Sequence, residues 1–231
     1  QQTLEADAAI VTSNLNRYYL SGFLGTAGTL LVTKDRAFYL ADGRYFEAVS
    51  EKVPFANPVL VTLHDWSELA RLCSELGVSK LAFEDLEMTV AVYRKIATAI
   101  PDVELVPLGG ALPRQRAVKD EGELALIRKA QSITDRAYQE LLGFIRAGVT
   151  EKQVARRLEE LLTEFGATGL AFDTIAVAGA HSSLPHGKPS DYVLADGDFL
   201  TLDFGAAYEG YLSDMTRTVA IGQPSDEMRR V

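Results

Sequence analysis

The sequence predicts an α/β domain followed by an α+β domain, and three observations carry the prediction. Up to about residue 108, runs rich in β-branched and aromatic residues alternate with amphipathic stretches. The segment "PLGGALPRQRAV", 107–118, then interrupts the pattern with two glycines and two prolines and is the natural linker. Beyond it come two capped helical stretches and three strand-like runs. With 231 residues the chain can hold two modest domains, each with its own core. We place them at 1–112 and 113–231.

Taken in order, "AAIVTS" and "TLLVTKDRAFYLA" read as strands, the second folded into a hairpin at "TKDR". "GRYFEAVSEKV" reads as a helix, "PVLVTL" as a strand and "DWSELARLCSEL" as an amphipathic helix closed by Gly77, with Cys73 half-buried. His64, just before it, reads as a helix-start residue. "KLAFED", "TVAVYRKIATAI" and "VELVPL" add strand, helix and strand. In the later domain Asp120 and Glu123 have capping-box spacing ahead of Leu124, Ile127, Ile133, Ala137 and Leu141. Thr150 and Gln153 repeat that spacing ahead of Val154, Leu158, Leu161 and Leu162, with Gly166 as the stop. "FDTIAVAG", "DFLTLDFGA" and "GYLSDMTRTVAI" supply strands of a mainly antiparallel sheet on which the two helices pack. Ser225 followed by Met228 resembles an N-cap opening a further helix, and with the lack of a starting Met this suggests a piece of a longer protein.

A formal charge of −9 without a basic cluster argues against nucleic acid or an anionic membrane as partner. No apolar run reaches the roughly 20 residues of a membrane span. The single cysteine, Cys73, fits a reducing compartment, and we expect a cytoplasmic protein.

Two carboxylates stand inside neighbouring strand-like runs. Along the first, Phe199, Thr201 and Asp203 share one face while Leu200, Leu202 and Phe204 share the other. The parity of the spacing to Asp214 allows a bulge-free hairpin, turning near Tyr208 and Glu209, to set Asp203 directly opposite Asp214. Their Cβ atoms would then lie ~5 Å apart. Two like charges at that distance repel by roughly 3 kcal/mol at an effective dielectric near 20. A shared proton, a basic neighbour such as Arg217 or a bound cation would offset this, and a divalent ion with oxygen ligands does so most directly. Two solvated aspartates on an exposed hairpin face, or a bulge that separates the pair, also account for the spacing alone.

Upstream, "AGAHSSLPHGKPSD" carries His181 and His186 in a Gly, Ser and Pro-rich loop, the kind of segment that often bears functional groups. His186, between Pro185 and Gly187, is the better candidate; a solvent-facing loop histidine is the alternative. Phe172 reads by default as core. No nucleophile elbow, phosphate-binding glycine loop or CxxC is present, so serine-hydrolase, nucleotide and zinc-ribbon chemistry lack support.

Together, "SNLNRYYLSGFLGTAGTLLVTKDRAFYLADGRYFEAV", "AVKDEGELALIRKAQSITDRAY", "LPHGKPSD" and "DGDFLTLDFGAAYEGYLSDMTRTVAIG" resemble the pita-bread metallopeptidases, in the branch of Xaa-Pro aminopeptidases and prolidases. The resemblance implies a creatinase-like N-terminal α/β domain and an α+β pita-bread catalytic domain present only in its first half. It implies that Asp203 chelates one metal ion, that Asp214 bridges two, that His186 contacts substrate and shuttles protons, and that Phe172 lines the substrate pocket. The ions would be two divalent metals, usually Mn²⁺ or Co²⁺, and the substrate a proline-containing peptide cut before the proline by a homodimer. The family's remaining ligands, a histidine and two glutamates, would lie beyond Val231, leaving residues 1–231 alone inactive. A non-catalytic peptide- or protein-binding module of the same fold and a creatinase-like hydrolase are the alternatives.

Overall fold

The computed structural model describes residues 5–62 and 65–230. His64 therefore lies outside the described residues. Contacts divide the chain into two compact units that meet at Val118–Lys119.

The first unit opens with β1 (Ala8–Val11), α1 (Asn14–Ser21), β2 (Thr29–Thr33) and β3 (Ala37–Ala41). It continues with α2 (Phe46–Lys52), β4 (Asn57–Leu60), α3 (Ser67–Leu76), β5 (Lys80–Phe83), α4 (Val90–Ala99), β6 (Glu104–Pro107) and α5 (Ala111–Ala117). The strands form one six-stranded sheet in the order β4-β3-β2-β1-β5-β6. The β1/β2 and β2/β3 pairs are antiparallel, and β3/β4, β1/β5 and β5/β6 are parallel. Ile10, Leu31, Phe38 and Leu40 pack with Leu69, Leu72 and Ile96 of α3 and α4, while Val11, Leu30 and Tyr39 pack with Val49 of α2. Burial on both faces explains why these strands read as continuous apolar runs. Cys73 is 2% exposed, more buried than its sequence context suggested, and burial pushes its thiol up to about 11.

Two features depart from the sequence reading. Residues 111–117 are helical: Gly109 and Gly110 take positive φ to reverse the chain after β6, and Pro113 sits in the first turn of α5, where no intrahelical N–H bond is needed. Helix α1, unassigned from sequence, begins at the Ser13 cap and ends at Gly22 in the left-handed region. Its start is held by the buried carboxylate of Glu84, which accepts the Thr12 and Ser13 N–H groups, the Ser13 hydroxyl and the Asn16 amide. Burial works to raise the Glu84 carboxyl, but these donors outweigh it and hold the group below the usual glutamate range.

The second unit contains α6 (Glu121–Leu142), α7 (Glu151–Glu164), β7 (Gly169–Leu170), β8 (Ile175–Ala178), β9 (Phe199–Phe204), β10 (Ala206–Tyr208), β11 (Tyr211–Leu212) and β12 (Met215–Ala220). Both capping boxes form with reciprocal bonds, Asp120 with Glu123 and Thr150 with Gln153. Leu200, Leu202 and Phe204 of β9 are buried against Ile133, Ala137 and Leu141 of α6 and Val154, Leu158 and Leu162 of α7. Thr201 and Asp203 consequently face away from the helices. In place of one sheet there are two antiparallel three-stranded sheets, β11-β10-β7 and β12-β9-β8, joined through Gly205. Among the described residues no helix is long and apolar enough to cross a membrane.

Candidate metal centre

The hairpin that carries the two aspartates turns at Glu209 and Gly210, whose φ angles are 45° and 75°. Positive φ at both central residues is the type I′ geometry that matches strand twist, and Gly210 makes it accessible. This places the turn one residue later than the sequence reading had it. Asp203 therefore pairs with Thr216, not with Asp214, and Asp214 sits between β11 and β12, just before the ladder begins. A diagonal relation replaces the direct one, which in a regular ladder separates backbones by about 7–8 Å. Repulsion falls to about 2 kcal/mol at the same effective dielectric, and room opens between the carboxylates.

Local packing fixes this arrangement. A Cβ on Gly205 would lie 2.0 Å from the Ser213 carbonyl oxygen, so the two strands approach there as only glycine permits. The Ser213 hydroxyl accepts the Ala206 N–H at 2.9 Å and lies 2.5 Å from the buried Thr134 hydroxyl of α6, fixing the residue immediately before Asp214. Gly205→Ala is accordingly expected to destabilise the second unit by about 3 kcal/mol, the upper end for overpacking, seen as a lower urea midpoint. An unchanged midpoint would show that the close approach is not obligatory.

Phe172, His186, Asp203 and Asp214 all line one cleft of about 730 Å³. His186 reaches it from the loop after β8, where Gly187 N–H donates to the Leu184 carbonyl at 3.1 Å. Phe172 precedes β8, so the aromatic ring read by default as core borders the cleft and is only partly buried. His181 is not on this wall; its Nδ1 lies 3.9 Å from Glu151 Oε1. Arg217 is not the neutralising neighbour: it pairs with Leu202, on the opposite parity to Asp203, and its Nη1 donates to the Thr216 carbonyl at 2.7 Å. Sequence reasoning missed Glu159, Asp173, Thr174 and Lys188, which also border the cleft. Among the described residues the buried Thr174 hydroxyl has no partner. No recognisable pattern marks these positions, because they meet only through folding.

The donor set suits part of a divalent-cation site. Asp203 uses Oδ1 to accept the Thr216 hydroxyl at 3.0 Å, leaving its other oxygen available, and among the described residues Asp214 takes no hydrogen bond or ion pair. Carboxylate oxygens match hard and borderline ions such as Mg²⁺ and Mn²⁺. Among the described residues no group of three or more His, Cys, Asp or Glu side chains gathers, so the pair would offer at most two ligands and not a full shell.

Comparison with known proteins agrees with this fold. Residues 2–118 match the Creatinase/Prolidase N-terminal domain, and residues 125–231 match Metallopeptidase family M24. The chain belongs to the pita-bread metallopeptidases of that family, with its creatinase-like N-terminal domain and part of its catalytic domain. Within the family it stands in the branch of the Xaa-Pro aminopeptidases and prolidases. It is similar to an uncharacterized peptidase of Bacillus subtilis (37% identical, 99% of this chain and 65% of the relative). Among solved structures it resembles the Xaa-Pro dipeptidase from Bacillus anthracis (40% identical, TM-score 0.92, 97% of this chain and 63% of that one). It also resembles the X-Pro aminopeptidase from Thermotoga maritima (36% identical, TM-score 0.92, 98% and 66%). The chain thus spans a little under two thirds of the Bacillus relatives' length.

Proposed function

We propose that the intact protein is a dinuclear metal-dependent peptidase that hydrolyses the bond preceding proline, as an Xaa-Pro aminopeptidase or dipeptidase. The observation that carries this reading is the meeting of Phe172, His186, Asp203 and Asp214, drawn from separate segments of the chain, on one cleft. Asp203 would chelate one ion and Asp214 would bridge two, with the remaining histidine and glutamate ligands contributed from beyond Val231. Two divalent ions, Mn²⁺ or Co²⁺, would lower the pKa of water and polarise the scissile carbonyl. His186 contacts that carbonyl and transfers a proton to the departing proline nitrogen, for which its exposed ring in the cleft is suited. Phe172 offers an apolar wall for the substrate side chains. All four residues lie in the domain that we assign to 113–231. We take the enzyme to be a cytoplasmic homodimer acting on peptides, and the 1–231 stretch alone to be inactive.

The test is hydrolysis by the intact protein supplied with Mn²⁺. An Xaa-Pro dipeptide is expected to be cleaved, and the matched dipeptide with alanine in place of proline to survive. Equal cleavage of both would remove the proline specificity, and absence of cleavage with metal bound would remove the peptidase reading. Cleavage by residues 1–231 alone would overturn the requirement for further ligands.

A further inference from the structure

Glu151, the first residue of α7, is fully buried, and among the described residues it pairs with no lysine or arginine. Among the described residues the one basic side chain within 4 Å is the half-exposed His181, at 3.9 Å. Burying a carboxylate is costly unless hydrogen bonds replace its water. Three do so here. Oε1 accepts the Ala178 N–H at 2.6 Å, while Oε2 accepts the Ser190 N–H at 2.8 Å and the Ser190 hydroxyl at 2.6 Å. Ala178 ends β8 and Ser190 follows the loop, so a single carboxylate ties together both ends of residues 179–189, the segment that carries His186. The main chain adds to the hold at the Ser190 end through Lys152 N–H to Ser190 O and Glu151 N–H to Tyr192 O, both at 3.1 Å, and at the other end Ala178 pairs with Leu200 in the β8/β9 ladder.

We infer that Glu151 is a positioning residue that clamps the 179–189 loop and thereby holds the His186 imidazole in the cleft. This rests on the role proposed above for His186. The clamp requires an acceptor at both oxygens. A glutamine retains one acceptor and turns an NH₂ group toward N–H or O–H donors, so the side-chain tie at one end of the loop is lost and that end is loosened.

In the intact, metal-loaded protein, Glu151→Gln is expected to lower kcat on an Xaa-Pro dipeptide about 100-fold, the scale of a small misplacement of a reacting group, while metal content is retained. In a His186→Ala background the same substitution is expected to have almost no further effect, because its action passes through that ring. Additive losses in the double variant, or an unchanged kcat in the single one, would overturn the inference. Ser190→Ala deletes one hydroxyl, with its contact to the Tyr192 N–H, and leaves the Ser190 N–H bond to Glu151, so it guards against a folding defect; it should show a smaller fall with the same non-additivity. Amide hydrogen exchange needs no substrate: faster exchange over 179–190 in Glu151→Gln is expected, and unchanged exchange there counts against the clamp. Should the wild type cleave no Xaa-Pro peptide, the proposed function fails, and the exchange result still decides whether the clamp exists.

Discussion

Asp214→Asn in the intact protein is expected to abolish both bound Mn²⁺ and peptidase activity while leaving the fold in place. Asparagine keeps the shape of the side chain but removes its charge and turns one oxygen into an NH₂ donor, so it can neither neutralise nor bridge two cations. The fold should tolerate the change because Asp214 is exposed and, among the described residues, takes no hydrogen bond or ion pair. The urea midpoint measured without metal should therefore match wild type, which separates loss of ligation from loss of structure. Elemental analysis reads the metal and dipeptide hydrolysis reads the activity. Full activity in the variant would sink the bridging role.

His186→Ala should give the complementary result: metal content preserved and kcat reduced by roughly 100- to 10,000-fold, the range for removing a general acid–base group. The distinction follows from placement. His186 lines the cleft from an exposed loop, whereas the two aspartates rise from the β9–β12 side of it. A ring delivered by a loop can approach a substrate carbonyl without closing a ligand shell. If metal is lost along with activity, His186 is a ligand and the proton-transfer role passes to another group.

Much of the fold was legible because it is local. The capping boxes at Asp120/Glu123 and Thr150/Gln153 formed as their spacing required, since N-cap and N3 are always neighbours in a helical turn. The hairpin at "TKDR" and the Gly77 stop followed from similarly short-range rules. Helix α1 was illegible for the opposite reason. The carboxylate that satisfies its first donors comes from Glu84, 68 to 72 residues away, and its Arg17 is buried among backbone carbonyls of the loop after it, where no periodic pattern would place a cation.

The candidate site divides along the same line. Side-chain alternation alone determined that Leu200, Leu202 and Phe204 face the core and that Asp203 faces away, because a strand admits only two directions for a side chain. The motif resemblance determined which residues to watch. Whether Asp203 faces Asp214 or Thr216 was decided only by the folded hairpin. Register there depends on which two residues accept positive φ and on how closely Gly205 can approach Ser213. The hold of Glu151 on the histidine loop was likewise decided only in three dimensions, where one buried carboxylate meets donors 27 and 39 residues away. Sequence spacing governs what neighbouring residues do to one another; which distant groups meet follows from how the sheets and helices close around the core.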